Sequence, residues 1–226
     1  MARPPTPTGV LLAGASGLVG RALLTELLAQ PHSHVHALLR RAVPDFPNAA
    51  ALSSQVIDFA RPGSLPSASQ LYIALGTTIT AAGSQAAFRA VDLDAVVNVA
   101  RAARAAGVTH VAVVSALGAD ANSRVFYNRI KGEMEAQLAA LGFERLVIAR
   151  PSLLAGERGA LGQPRRIGEQ LALALFAPVG RLLPARVRPI AATVVARALC
   201  VAIGQPGPPV QIIESAALHR LGTEGR

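Results

Sequence analysis

A phenol and an ammonium stand four residues apart in Tyr127-Asn128-Arg129-Ile130-Lys131, a spacing that puts both on one face of a predicted helix. Lys131 is the one lysine among 22 basic residues, and Tyr127 is one of two tyrosines. A lone lysine placed at random falls four residues after a tyrosine about once in 100 trials, so chance explains the pair poorly. A compact ammonium can favour the ionised form of a neighbouring phenol and can bind sugar hydroxyls, which a planar guanidinium does less well. The pair therefore suits proton transfer at an oxygen held beside a ribose. Ser115 ends an apolar run twelve residues before the tyrosine. Its hydroxyl could polarise a carbonyl, or simply cap the end of a strand.

A second cluster is made of glycines. Gly14-Ala15-Ser16-Gly17-Leu18-Val19-Gly20 follows the apolar run Val10 to Ala13 and opens a helix-like stretch from Leu18 to Ala29. In that context Gly14 allows a tight turn, Gly17 lets backbone approach a pyrophosphate, and Gly20 lets the helix pack close to the strand. The helix N-terminus then offers free N–H groups and partial positive charge to the anion. Arg40 and Arg41 end the next strand, where an acidic residue would favour an unphosphorylated ribose. Guanidinium groups grip a 2′-phosphate instead, which points to NADPH over NADH, unless the two are simply solvated. Asp58, with Phe59 beside it, closes the third strand; either can meet an adenine edge or serve a turn.

These residues need a frame, and the apolar pattern supplies one. Predicted strands at Val10 to Ala13, Val35 to Leu39, Val56 to Asp58, Leu71 to Leu75, Val108 to Ser115 and Leu146 to Ala149 alternate with helices. The helices are expected at Leu18 to Ala29, about Ser84 to Ala106, and about Ser123 to Leu141. Continuously apolar strands between helices mean a parallel sheet covered on both faces. The expected fold is α/β: a doubly wound, Rossmann-type parallel sheet with a small C-terminal substrate-side region. One NAD(P)-binding domain should span 1–226, with a cofactor-binding core at 9–150 and substrate-side loops, helices and a last strand at 151–226. Beyond Pro151 we expect an apolar helix at Ile167 to Phe176, a helix from Thr193 to about Ile203, and a last strand at Val210 to Ile213.

Composition excludes several classes. With 226 residues, 51% hydrophobic and 15% charged, the chain can bury a large core and is too apolar for disorder. Cys200 is the single cysteine, so there is no disulfide framework; it reads as a core residue in an apolar helix. No apolar run reaches the roughly 18 residues of a membrane span, and the glycine-punctuated Val10 to Val19 does not read as a signal peptide. These features point to a cytoplasmic chain. The net charge of +9 comes from arginines dispersed along the whole length without interleaved aromatics, which argues against nucleic acid. His32, His34 and His36 alternate but lack a nearby acid or thiol, so no metal is expected. Arg158, Arg165, Arg166, Arg181, Arg186 and Arg188 gather in the later half, either as an acidic-substrate site or as a solvated face.

Taken together, the strand–Gly14-x-x-Gly17-x-x-Gly20 segment, Ser115 and Tyr127-x-x-x-Lys131 resemble the short-chain dehydrogenase/reductase superfamily. Leu75-Gly76-Thr77-Thr78, Ala82-Gly83-Ser84, Val91-Asp92, Ser115 to Asp120, Lys131-Gly132-Glu133, Arg150 to Leu154 and Leu218 to Gly222 are similar to its atypical, Tat-interacting-protein-like NADPH-binding branch. The resemblance implies that backbone from Gly14 through Ser16, Gly17 and Leu18 to Val19 holds the pyrophosphate, and that Arg40 and Arg41 meet the 2′-phosphate. It implies that Leu75, Gly76 and Thr77 line the adenosine and ribose side, and that Pro151, Leu153 and Leu154 contact the nicotinamide end. Tyr127 would protonate a forming alkoxide, Lys131 would anchor the ribose, and Ser115 would hydrogen-bond the carbonyl oxygen of a small substrate. Ala13 stands where many relatives carry threonine, and Ser152 where a glycine is expected. The implied activity is reversible hydride transfer with NADPH. A non-catalytic NADPH-binding regulator and an epimerase or dehydratase with a tightly held cofactor are the competing readings. Monomer and homodimer are equally compatible with the sequence.

Overall fold

The computed structural model describes residues 8–30, 33–44, 46–155, 184 and 186–224. Its centre is a parallel seven-stranded sheet in the order β3-β2-β1-β4-β5-β6-β9. The strands are β1 (Thr8–Ala13), β2 (Ser33–Leu39), β3 (Leu52–Val56), β4 (Gln70–Ile73), β5 (His110–Val114), β6 (Arg145–Arg150) and β9 (Val210–Glu214). A separate two-stranded pair joins β7 (Leu154–Ala155) to β8 (Ile190–Ala191). The chain runs outward from β1 through β2 to β3, then returns to lay β4 against the other side of β1. Consecutive strands thus diverge at β1 and β4, and a crevice opens at their carboxyl ends.

Side-chain alternation sends successive residues of each strand to opposite faces. Leu11, Ala13, Leu71, Ile73, Val111 and Val113 point into one core, which α4 (Ala95–Ala105) and α5 (Phe126–Ala140) cover. Val10, Leu12, Tyr72, Ala112, Val147 and Ala149 point into the other, which α1 (Leu18–Leu28) and α6 (Ala192–Gly204) cover. The last helix, α7 (Ser215–Thr223), packs on α6. Both faces of the central strands are dry, which is why these strands read as unbroken apolar runs.

Two elements differ from the sequence reading. The third strand ends at Val56 rather than beginning there, because β3 is an edge strand whose Ser53, Ser54 and Gln55 face water and carry no apolar signal. The long helix expected from Ser84 is built as α3 (Gln85–Arg89), a π-helical turn at Ala90–Asp94, and α4. The short α2 (Ile79–Ala82) precedes it, its N-terminus capped by Thr78 Oγ1 accepting from Ala81 N at 3.1 Å. The helix expected at Ile167 to Phe176 lies outside the described residues.

Arg145 is buried, and its guanidinium donates to the carbonyls of Pro208 and Ala202 and to Gln211 Oε1, at 2.7, 3.0 and 2.6 Å. It thereby pins the turn-rich connector into β9. Cys200 is partly buried on α6 beside Tyr72, and burial pushes its thiol up to about 12. Burial likewise raises the Tyr72 phenol. Among the described residues no helix is long and apolar enough to cross a membrane.

Candidate functional site

The glycine cradle forms at the crevice, directly after β1. Gly14 has φ +90°, and a side chain there would strike the Ala74 carbonyl oxygen at 2.6 Å, where β4 leaves the sheet. Gly20 is tighter still: a Cβ would lie 1.9 Å from the Gly14 carbonyl oxygen. Helix and turn touch backbone to backbone, as the spacing of the glycines implied. Gly17 caps α1 without a side chain, and the first turn of α1 contains no acid. Its N–H groups therefore face the crevice with neither a capping oxygen nor a carboxylate in competition, which fits an anion. Ser16, Gly17 and Leu18 are half-buried along this cradle, while Val19 is buried beneath it.

Arg40 and Arg41 directly follow β2 and are exposed on the same side of the crevice. Asp58 is exposed, but one of its oxygens accepts from Ala60 N at 2.9 Å, so it also shapes a turn. Phe59 is 8% exposed and belongs to the core, leaving little of its ring for a ligand. Leu75 is half-buried and Gly76 exposed at the end of β4.

Lys131 is buried below that loop. Its ammonium lies 2.6 Å from Asp92 Oδ1, and the second Asp92 oxygen accepts from Thr77 N at 2.8 Å. A Cβ on Gly76 would sit 3.3 Å from Asp92 Oδ1 and 3.9 Å from the lysine nitrogen. An ammonium has three donors. Among the described residues Asp92 is its one partner, so two donors remain in a place only 4% exposed. Buried donors are normally satisfied, which marks this spot as one a ligand with hydroxyl groups would complete. The cradle and this ammonium together fit a dinucleotide.

Tyr127 lies one turn before Lys131 on α5, half-buried, with its ring 5.5 Å from that of Phe88. Glu135 continues the same face one turn later. Ser115 is buried at the end of β5, and its hydroxyl donates to Glu135 Oε1. A serine has one proton to give, and this contact occupies the donor that polarising a carbonyl requires. Glu135 is in turn held by Arg150, with Nε to Oε1 at 3.1 Å and a terminal nitrogen to Oε2 at 2.6 Å. The other terminal nitrogen of Arg150 reaches Glu214 at 3.1 Å. These contacts, hydrogen bonding to Glu135 foremost, hold the Arg150 guanidinium above its ordinary value. The chain Ser115–Glu135–Arg150–Glu214 therefore locks the ends of β5, β6 and β9 to α5.

Pro151 is buried just past β6, with Leu153 and Leu154 half-buried after it. Ser152 donates to the Arg188 carbonyl and accepts from Ser215 Oγ, a use of the hydroxyl that the expected glycine could not serve. Asp92, Glu135, Arg150 and Gly132 were not assigned from sequence. A Cβ on Gly132 would meet Ala121 N at 2.1 Å, so α5 rests on the loop after β5. One signal was available: Glu135 lies two four-residue steps beyond Tyr127.

His34 and His36 face the same way on β2 and share Ser53 Oγ, at 3.3 and 2.6 Å. Burial, then His34, lowers the imidazole of His36. Among the described residues no group of three metal-ligating side chains occurs; His32 lies outside them. So do Arg158, Arg165, Arg166 and Arg181.

A doubly wound parallel sheet with a glycine cradle at its switch point defines a dinucleotide-binding protein. A family model described as NAD(P)H-binding matches residues 14–155. Protein FMP52, mitochondrial, from Eremothecium gossypii is 40% identical over 153 residues, covering 66% of this chain and 67% of its own. Protein HTATIP2 from Rattus norvegicus is 33% identical over 222 residues, covering 95% and 89%. The chain belongs to the NAD(P)H-binding family, in the atypical short-chain dehydrogenase/reductase group that includes these Tat-interacting-protein-like relatives. Among solved structures, a UDP-galactose 4-epimerase superposes with TM-score 0.69 at 16% identity over 91% of this chain and 76% of that one. A short chain dehydrogenase family protein from Francisella tularensis gives 0.66 at 10% identity, over 93% and 98%. Both share the fold. The fungal relatives are named as mitochondrial proteins, which overturns the expectation of a cytoplasmic chain. That expectation rested on a reducing composition and the lack of a span, and neither separates cytoplasm from mitochondrial compartments.

Proposed function

We propose that this chain binds NADPH and uses it to reduce a small carbonyl compound. The observation that carries the reading is the buried Lys131 ammonium, with two donors to spare, beneath the loop next to the glycine cradle and one helical turn from Tyr127. Bound NADPH would supply a hydride to the carbonyl carbon. Gly14 to Val19 would hold the pyrophosphate on the α1 N-terminus, and Lys131 would fix the ribose nearest the reaction. Tyr127 would give its proton to the carbonyl oxygen as charge develops there. Pro151, Leu153 and Leu154 would keep water from the nicotinamide side. The names of the fungal relatives support a mitochondrial place for the chain.

Choice of cofactor rests on Arg40 and Arg41. Titration of the protein with NADPH and with NADH, followed by nucleotide fluorescence, is expected to give tighter binding of the phosphorylated form by about 10- to 100-fold. The Arg40→Ala, Arg41→Ala double variant should bring the two affinities together. Equal affinities in the unmodified protein would remove the assignment.

One observation favours a second reading. The Ser115 proton is given to Glu135, so a carbonyl in this site lacks the donor that the resemblance provides. A chain that binds NADPH without turning it over fits that geometry. Assay of NADPH absorbance against a panel of aldehydes, ketones and quinones separates the two, since a binding protein consumes none.

A further inference from the structure

We infer that Asp92 is the positioning residue of the cofactor site, acting through Lys131 on the nicotinamide half of the dinucleotide. This rests on the NADPH reading and assigns a residue to it.

The strand order divides the site. A dinucleotide lying across the carboxyl edge with its pyrophosphate over β1 has one nucleoside toward β2, where the residue that reads the adenosine ribose stands. The other nucleoside lies toward β4 and β5. Asp92 and Lys131 meet below the end of β4, hence under the nicotinamide ribose.

Asp92 is 1% exposed, and its two oxygens are both used, one by the ammonium and one by Thr77 N. Both of its oxygens are already tied to the protein, whereas Lys131 keeps two donors without a partner among the described residues. The carboxylate therefore sets the direction of the two remaining Lys131 donors and holds the Gly76–Thr77 loop above them. Asp92 lies within the π-helical turn, closed by Ala95 N on the Ala90 carbonyl, and that turn packs against α5, the helix that carries Lys131.

An amide at this position would have one acceptor oxygen where two are needed, and its NH2 would face either the ammonium or the Thr77 N–H. The full chain, as wild type, Asp92→Asn, Lys131→Met and the double variant, is titrated with NADPH and with adenosine 2′,5′-bisphosphate, which lacks the nicotinamide ribose. Asp92→Asn should weaken NADPH by about 10- to 100-fold and leave the bisphosphate within about twofold. The double variant should bind NADPH no worse than Lys131→Met alone, because Asp92 acts through the lysine. The inference is overturned if Asp92→Asn binds NADPH like wild type, if both nucleotides weaken together, or if the two losses multiply. A wild type that binds neither nucleotide would remove the NADPH reading and this inference with it; a wild type that binds both, beside a silent Asp92→Asn, removes only the role of Asp92.

Discussion

Tyr127→Phe is expected to lower NADPH-dependent carbonyl reduction by about 10²- to 10⁴-fold, the range for removal of a general acid. Cofactor affinity should hardly change, because the substitution deletes one oxygen and leaves the ring against Phe88. Phenylalanine is close in shape, so α5 keeps its packing and the thermal midpoint should stay within a few degrees. The comparison is made with any carbonyl compound that wild type reduces, by absorbance of NADPH and by direct titration of the cofactor. Full-rate turnover by the phenylalanine variant would end the role given to this phenol. The proton would then have to come from elsewhere, and Ser115 offers none while bonded to Glu135.

Gly20→Ala should be the most damaging single methyl group in the cofactor half. The added carbon would lie 1.9 Å from the Gly14 carbonyl oxygen and 3.0 Å from Ala15 Cα. Both obstacles are backbone, so no rotamer change relieves the contact; α1 must move away from the turn that follows β1. That movement opens the cradle and separates Leu23 and Leu27 from the core. We expect a loss of about 3 kcal/mol or more, read as a fall in thermal midpoint of about 6–12 °C. NADPH binding should weaken at least tenfold even where the protein is folded. Gly204→Ala is the control: it ends α6 with nothing within 4 Å of the new methyl, and it should be neutral or slightly stabilising. Similar behaviour of the two variants would show that the close approach at Gly20 carries little energy.

Much of this was legible in the sequence because packing demands uniform chemistry along an element. The inner strands are apolar on both faces, and the cradle glycines sit where backbone meets backbone. β3 was misplaced since an edge strand needs no such pattern. The role of Ser115 depended on a partner twenty residues away on α5, and neither Glu135 nor Arg150 announces itself until the ends of β5 and β6 are brought alongside that helix. Asp92 is one of two acids in its stretch, with Asp94, and only the packing of that turn against α5 shows which of them meets Lys131. Local periodicity shows elements; it does not show which charges those elements bring together. Location in the cell was misread for a different reason, because compartment is not a packing property.

The thiol on α6 gives the chain a built-in alarm. Cys200 is the single cysteine, and while its helix stays docked on Tyr72 the sulfur stays protonated up to about pH 12. Electrophilic dyes react with the thiolate, so at neutral pH labelling should report each moment when α6 lifts away. Titration of the same group also sets an alkaline limit. The released thiol ionises near 9 and the docked one near 12, so between those values the opened chain sheds a proton that the closed chain keeps. Stability must therefore decline as the medium is made more alkaline than about pH 9.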